Sequence, residues 1–150
     1  MEAVTFPDEK VVAFMNERVI SLRVAYNDKE LAGRFNVKWT PTIVTLDGEG
    51  TEHHRTVGFL SSEEFIPSIL LGMAKSAFDH ENYGLALEIA GELLRGYPSA
   101  AAAPEAIFLQ GVCRYKKSGT PASLKEAYEM LSASYPQSEW TKRAYPYRLL

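Results

Sequence analysis

Few side chains in this 150-residue sequence could carry out chemistry: one cysteine, Cys113, and three histidines. Thiol–disulfide exchange needs a stabilised thiolate and a second thiol that resolves the mixed disulfide, and one cysteine supplies only one of these sulfur atoms. Cys113 lies on a predicted helix, where a free cysteine is commonly buried as a small hydrophobic residue. We therefore predict no catalytic residue and no redox reaction within these 150 residues.

The histidines do not have the spacing of a metal site. His53 and His54 are adjacent on a predicted polar strand, and neighbouring strand residues point to opposite faces, so their imidazoles cannot easily share one ion. An exposed edge strand is the favoured interpretation. His80 ends a predicted helix and is expected to be solvated or to interact with the helix terminus. Since the sequence also shows no nucleophile–base pair and no phosphate-binding loop, we predict no metal and no cofactor.

Composition excludes several classes of partner. The chain is 46% hydrophobic and 23% charged, as is typical of a soluble globular protein, and its net charge of −3 gives no basic surface for nucleic acid. No apolar run approaches the roughly 20 residues of a membrane-spanning helix. The segment 1–7 has neither the basic nor the apolar region of a signal peptide, so we expect a cytoplasmic protein as written, although a longer product could differ.

The elements that would position a binding site surround the segment Trp39-Thr40-Pro41. The β-branched run 42–46 is a predicted strand with proline just before it, since proline cannot donate to a ladder. Asp47-Gly48 is a turn signal leading to a return strand at 52–57. The remaining predicted elements of this half are a helix at 7–18, a strand at Val19–Val24, a short helix capped by Asn27 or Asp28, and a helix that begins at Ser61 or Ser62.

This order of elements, with the Gly58-Phe59 step before the last helix, resembles the second half of a thioredoxin-fold domain over about residues 1–71. In that family the Thr-Pro bond is cis, and its loop faces a Cys-x-x-Cys pair at a helix N-terminus. The resemblance implies a substrate groove at Trp39, Thr40 and Pro41, where the backbone would pair with an extended peptide. The alternative is that Pro41 only fixes the turn before the strand.

Residues 1–8 resemble the segment that follows Cys-x-x-Cys in one thioredoxin-like subgroup. We therefore expect a truncated domain, with the redox motif or a selenocysteine encoded immediately upstream. In the family fold a central strand lies between the strands that match Val19–Val24 and Thr42–Leu46. Without this strand, two apolar edges would stay unpaired, and such edges recruit other strands. The chain is thus expected to form a homodimer by edge pairing, to rearrange, or to be unstable.

The second half of the sequence, residues 72–150, contains only helical patterns. Leu93 before Tyr97-Pro98 recurs as Leu131 before Tyr135-Pro136, at a spacing of 38 residues. Such self-similarity is typical of stacked helix pairs. The segments 74–98 and 106–136 resemble tetratricopeptide repeats, although their period is longer than that family's usual length and the first helix lacks its tryptophan.

The predicted fold class is therefore α/β + α: a partial thioredoxin-like sheet with flanking helices in residues 1–71, followed by an all-α tetratricopeptide-like region in residues 72–150. The resemblance implies a parent function in thiol–disulfide exchange on protein substrates, with this chain itself inactive in redox chemistry. A protein or peptide partner would bind the Thr-Pro groove, the repeat surface, or both. The alternative is a non-catalytic adaptor that recognises a peptide in the repeat groove.

Overall fold

The computed structural model describes residues 1–150 and confirms the predicted class, because a small sheet with flanking helices precedes a helical region. The elements in chain order are α1 Glu9–Arg18, α2 Lys29–Arg34, β1 Thr42–Leu46, β2 Glu52–Val57, α3 Ser62–Asp79, α4 Tyr83–Gly96, α5 Ala103–Ser118, α6 Ala122–Ser134, α7 Glu139–Ala144 and a 3-10 helix at Tyr145–Leu149.

Capping carboxylates begin the first two helices. The side chain of Asp8 accepts hydrogen bonds from the backbone N–H groups of Lys10 and Val11 in α1. Asp28, rather than Asn27, accepts one from the N–H of Leu31 in α2. These bonds satisfy donors that a helix N-terminus leaves unpaired. Just before α1, the fully buried Thr5 donates its hydroxyl to the carbonyl oxygen of Leu60 at 2.5 Å, which ties the N-terminal segment to the start of α3.

The two strands form an antiparallel hairpin that packs on α3. Thr42 pairs with Val57 at one end, and a register shift separates Thr45 from Leu46 at the other. Thr45 faces α3 at Gly72, where an added Cβ would lie 2.5 Å from the threonine hydroxyl oxygen. Only glycine therefore allows the hairpin to lie this close to α3.

The predicted strand at Val19–Val24 is wrong: the segment forms no ladder. Ile20 is fully exposed and Leu22 is 78% exposed. An alternating apolar pattern describes a strand with one buried face, but a strand also needs a neighbour that accepts its hydrogen bonds. No other strand lies beside this segment, so its pattern alone does not produce a ladder.

Helix α3 connects the sheet to the helical region without a break. Its residues contact the hairpin and α1 on one side and α4 and α5 on the other. One buried cluster joins Val11 of α1, Leu70 of α3, Leu93 of α4 and Cys113 of α5. The division between residues 1–71 and 72–150 stays a prediction, and it falls inside α3. Although α3 is the longest helix, neither it nor any other helix combines the length and apolar character that a bilayer crossing requires.

The helices α3 to α6 pack in succession, each against the next. Helices α4 and α6 end in the same way: Tyr97 and Tyr135 have φ near −138° with ψ of 54°, and their N–H groups donate to the carbonyls of Leu93 and Leu131 at 2.8 Å. Both leucines are completely buried. The 38-residue spacing in the sequence therefore marks two structurally equivalent helix ends.

Candidate functional site

The three predicted site residues form an exposed loop that leads into β1. Trp39, Thr40 and Pro41 are all exposed, and the side chain of Trp39 is among the most exposed, because 75% of this residue is accessible to solvent. The Thr40–Pro41 peptide bond is cis. The hydroxyl of Thr42 donates to the carbonyl of Trp39 at 2.6 Å, which holds the loop against the beginning of the strand. The loop thus exposes an aromatic side chain to solvent.

The strand that follows the loop has one open edge. The N–H of Gly58 donates to the carbonyl of Pro41 at 2.8 Å, so hydrogen-bonded pairs recur at every second residue from Pro41 onward. Thr42 and Val44 therefore direct their N–H and C=O groups away from β2. The sheet has only two strands, and these groups have no main-chain partner. Such an edge is a template for a further strand.

Exposed apolar side chains concentrate in the same half of the protein. Seven of the nine large hydrophobic side chains that are more than half exposed lie within residues 1–60, and they include Trp39, Val57 and Phe59. Concentrated exposed apolar surface in soluble proteins is characteristic of an interaction site. The predicted Thr-Pro groove therefore lies in the half of the chain that exposes more large apolar side chains.

Cys113 is fully buried in α5 within the main hydrophobic core. Burial raises the pKa of this thiol to about 11. A thiol with so high a pKa holds little of the nucleophilic thiolate near neutral pH. Cys113 is therefore a packed core side chain in α5, and it is not part of the Thr-Pro loop.

The adjacent histidines of β2 point apart, as the strand geometry predicts. His54 lies against α3, where its Nε2 is 3.3 Å from the hydroxyl of Ser68. Burial, together with the nearby charge of Lys75, lowers the pKa of His54. The ring of His53 lies instead between two carboxylates, which excludes a metal site shared by His53 and His54.

Sequence analysis missed a second group of side chains around His53. Its Nδ1 is 2.6 Å from Oδ2 of Asp79, and its Nε2 is 3.1 Å from Oδ2 of Asp47. His80, at the C-terminal end of α3, places its Nε2 3.5 Å from the same Asp47 oxygen. No local pattern joins these residues, because 27 positions separate His53 from His80 and only the packing of the hairpin on α3 brings them together.

The ionisable groups in this cluster shift one another's pKa values. The hydrogen bond with Asp79 is the largest effect that raises the pKa of His53, and the bond with Asp47 adds to it. His53 in turn lowers the pKa of Asp47 to about 2, together with the backbone N–H of Thr51. Among the described residues, Asp47, His53 and His80 are three side chains whose ligand atoms all lie within 4.8 Å of one another.

A polar cleft of about 500 Å³ lies where β2 meets α3, α5 and α7. Lys75 of α3 and Glu105 of α5 form an ion pair of 2.8 Å in its wall, and Trp140 supplies its one hydrophobic side chain. Arg143, also in the wall, pairs with Glu139 at 2.7 Å and lies over the ring of Trp140. The cleft is therefore an open, mixed-charge surface.

Comparison with known proteins supports the thioredoxin-like assignment for the first half of the chain. Residues 1–70 match a family model described as a thioredoxin-like domain. No curated protein and no solved structure matches the chain. The matched residues run from the N-terminus into α3 and include the Thr-Pro loop and both strands. The likeness of the later helix pairs to tetratricopeptide repeats stays a prediction.

Proposed function

We propose that this protein binds an extended segment of a protein substrate along the open edge of β1, beside Trp39, Thr40 and Pro41. This is the part of thiol–disulfide exchange that a thioredoxin-like domain performs with its backbone. The unpaired main-chain groups of Thr42 and Val44 are the observation on which the proposal rests. The match of residues 1–70 to a thioredoxin-like domain supports it.

Strand addition explains how such a site would work. An incoming strand that pairs with β1 satisfies the free N–H and C=O groups, which gives affinity with little dependence on sequence. Side chains next to the edge then make some peptide sequences bind more tightly than others. Trp39 is the strongest candidate, because exposed aromatic residues at interfaces frequently carry a large share of the binding energy.

Residues 1–150 are proposed to bind without exchanging disulfides. The reaction transfers a sulfur–sulfur bond from substrate to protein through a mixed disulfide, which a second protein thiol must then release. The single thiol here is Cys113, which is buried and has a raised pKa. Exchange would need cysteines other than this one to face the Thr-Pro loop.

Binding can be tested with a polypeptide that can neither fold nor exchange disulfides. The probe is fluorescently labelled α-lactalbumin, reduced and carboxymethylated, and its anisotropy is followed as the full chain is added. Val44→Pro removes an outward N–H while leaving the hydrogen bonds to β2, because proline is tolerated at an edge. We expect Val44→Pro and Trp39→Ala each to weaken binding by about tenfold, or about 1.4 kcal/mol.

The matched control is Leu149→Ala, which removes a side chain 77% exposed at the opposite end of the chain. It should bind the probe like the original protein. Equal binding by Val44→Pro, Trp39→Ala and Leu149→Ala would refute the proposed site. Circular dichroism of each variant establishes that it is folded before its affinity is compared.

A second candidate function is that of an adaptor that holds a peptide in the polar cleft. Its support is that α3, α5 and α7 contribute side chains to one continuous surface, with β2 at its side. Substitution of the exposed Arg143 distinguishes the two proposals, because this residue lines the cleft and is not part of the β1 edge. If Arg143→Ala weakens binding of the probe while Val44→Pro does not, the adaptor function replaces strand addition.

A further inference from the structure

Three residues where the hairpin meets the C-terminal end of α3 have the geometry of metal ligands. Oδ2 of Asp47 lies 3.1 Å from Nε2 of His53 and 3.5 Å from Nε2 of His80. In a tetrahedral zinc site with bonds of about 2.1 Å, neighbouring ligand atoms are about 3.4 Å apart. The two observed separations lie on either side of this value, and all three ligand atoms lie within 4.8 Å of one another. An ion could therefore bind all three atoms after the side chains move to close the remaining separation.

The other atoms of these side chains have partners that fix their orientation. Nδ1 of His53 is 2.6 Å from Asp79, and Nδ1 of His80 is 2.8 Å from the backbone carbonyl of Ser76. Both acceptors favour a hydrogen on Nδ1, and Nε2 of each ring is the nitrogen that lies near Oδ2 of Asp47 and would bind the ion. Histidines that bind metals commonly donate their second ring N–H to a carboxylate or carbonyl in this way.

The carboxylate is oriented by the turn in which it lies. Oδ1 of Asp47 accepts hydrogen bonds from the N–H groups of Glu49 and Thr51 at 2.9 and 2.8 Å. This leaves Oδ2 directed at the two imidazoles. The site is also sheltered, because the side chains of His53 and Asp47 are 4% and 10% exposed, while His80 is 54% exposed and provides access from solvent.

We propose that Asp47, His53 and His80 form a binding site for a divalent transition-metal ion, with Asp79 as the positioning residue of His53. Two imidazoles and one carboxylate favour zinc or its neighbours over calcium and magnesium, which prefer oxygen ligands alone. Three protein ligands leave a fourth tetrahedral position for water. The ion would join the turn after β1, strand β2 and the end of α3.

The competing arrangement is an ion pair, in which His53 carries both ring protons and bridges Asp47 and Asp79. His80 distinguishes the two. It contributes a ligand atom to a metal ion, whereas the ion pair of His53 with the two carboxylates needs no contribution from it. Removing the His80 imidazole therefore tests metal binding while the bridging contacts of His53 remain.

The experiment uses the full chain after dialysis against a chelator. Zinc binding is measured by calorimetry and by the rise in melting temperature, and cobalt(II) is added separately because tetrahedral cobalt with nitrogen and oxygen ligands absorbs visible light. We expect one zinc ion per chain and a visible cobalt band. His80→Gln and Asp47→Asn should each reduce zinc affinity at least 100-fold and abolish the band.

The matched control is His54→Gln, which removes the one remaining histidine of the chain, on the other face of β2. Its zinc affinity should equal that of the original protein. Asp79→Asn should keep the cobalt band but weaken zinc binding by about 10–100-fold, the usual effect of losing a supporting carboxylate. The site is refuted if the original protein gives neither a zinc-dependent rise in melting temperature nor a cobalt band, or if His54→Gln weakens binding as much as His80→Gln.

Discussion

Replacing Gly111 with alanine tests how closely α5 and α6 are packed. A Cβ added at Gly111 would lie 2.4 Å from the Cβ of Ala127 and 3.2 Å from the carbonyl oxygen of Ser123. Cβ atoms essentially never approach other atoms within 3.0 Å, and Ala127 is only 2% exposed, so neither group has space to move. The two helices must therefore separate.

Two opposing effects determine the magnitude. Alanine in a helix interior is more favourable than glycine by about 1 kcal/mol. Excess volume in a well-packed core costs about 1–3 kcal/mol, and a contact between two short, rigid groups belongs in the upper part of that range. We therefore expect Gly111→Ala to lower the free energy of unfolding by about 1–2 kcal/mol.

The measurement is urea unfolding followed by far-ultraviolet circular dichroism. Gly91→Ala is the matched control, because its new Cβ would meet the flexible end of Arg95 at 3.1 Å, which can move aside. The free energy of unfolding of this control should equal that of the original protein or exceed it by up to about 1 kcal/mol. Adding Ala127→Gly to Gly111→Ala restores the space, so the double-mutant cycle should give a favourable coupling of about 1 kcal/mol or more.

The reasoning fails if Gly111→Ala is as stable as Gly91→Ala. It fails equally if the double-mutant cycle shows no coupling between positions 111 and 127. Either result would mean that α5 and α6 accept the additional methyl group without separating.

Three further predictions follow from other contacts. Because burial raises the pKa of Cys113 to about 11, Ellman's reagent at pH 8 should label it slowly in the folded protein and at once in urea; immediate labelling without urea would contradict its burial. Thr5→Val leaves the partly buried carbonyl of Leu60 without its donor and should lower the free energy of unfolding in urea by about 1–3 kcal/mol, whereas Thr5→Ser should restore most of that loss. The open edge of β1 predicts a concentration-dependent dimer by light scattering that Val44→Pro disrupts; a monomer at all concentrations would exclude edge pairing.

Much of the fold follows from local sequence signals. The capping residue Asp28, the turn at Asp47-Gly48 and the recurrence of Leu93 at Leu131 each depend on contacts within a few residues or on a regular period. Such signals determine where a helix or turn begins and ends. They therefore predicted the hairpin and the succession of helices.

What the sequence could not show depends on contacts between distant segments. Val19–Val24 has the pattern of a strand, but a ladder requires a neighbouring strand that is not there. His80 was expected to be solvated or to interact with the helix terminus. It does contact the carbonyl of Ser76, but its proximity to Asp47 exists only because the hairpin packs on α3. No period in the sequence encodes that proximity.

The continuity of α3 has a consequence for any partner that touches both halves of the protein. With 18 residues and a rise of 1.5 Å per residue, α3 is about 27 Å long and continues through Pro67, so no flexible linker interrupts it. The β1 edge and the cleft are therefore held at a constant separation. If the β1 edge binds a polypeptide as proposed, a polypeptide that also reaches the cleft would gain avidity only when its length matches the fixed separation of the two surfaces.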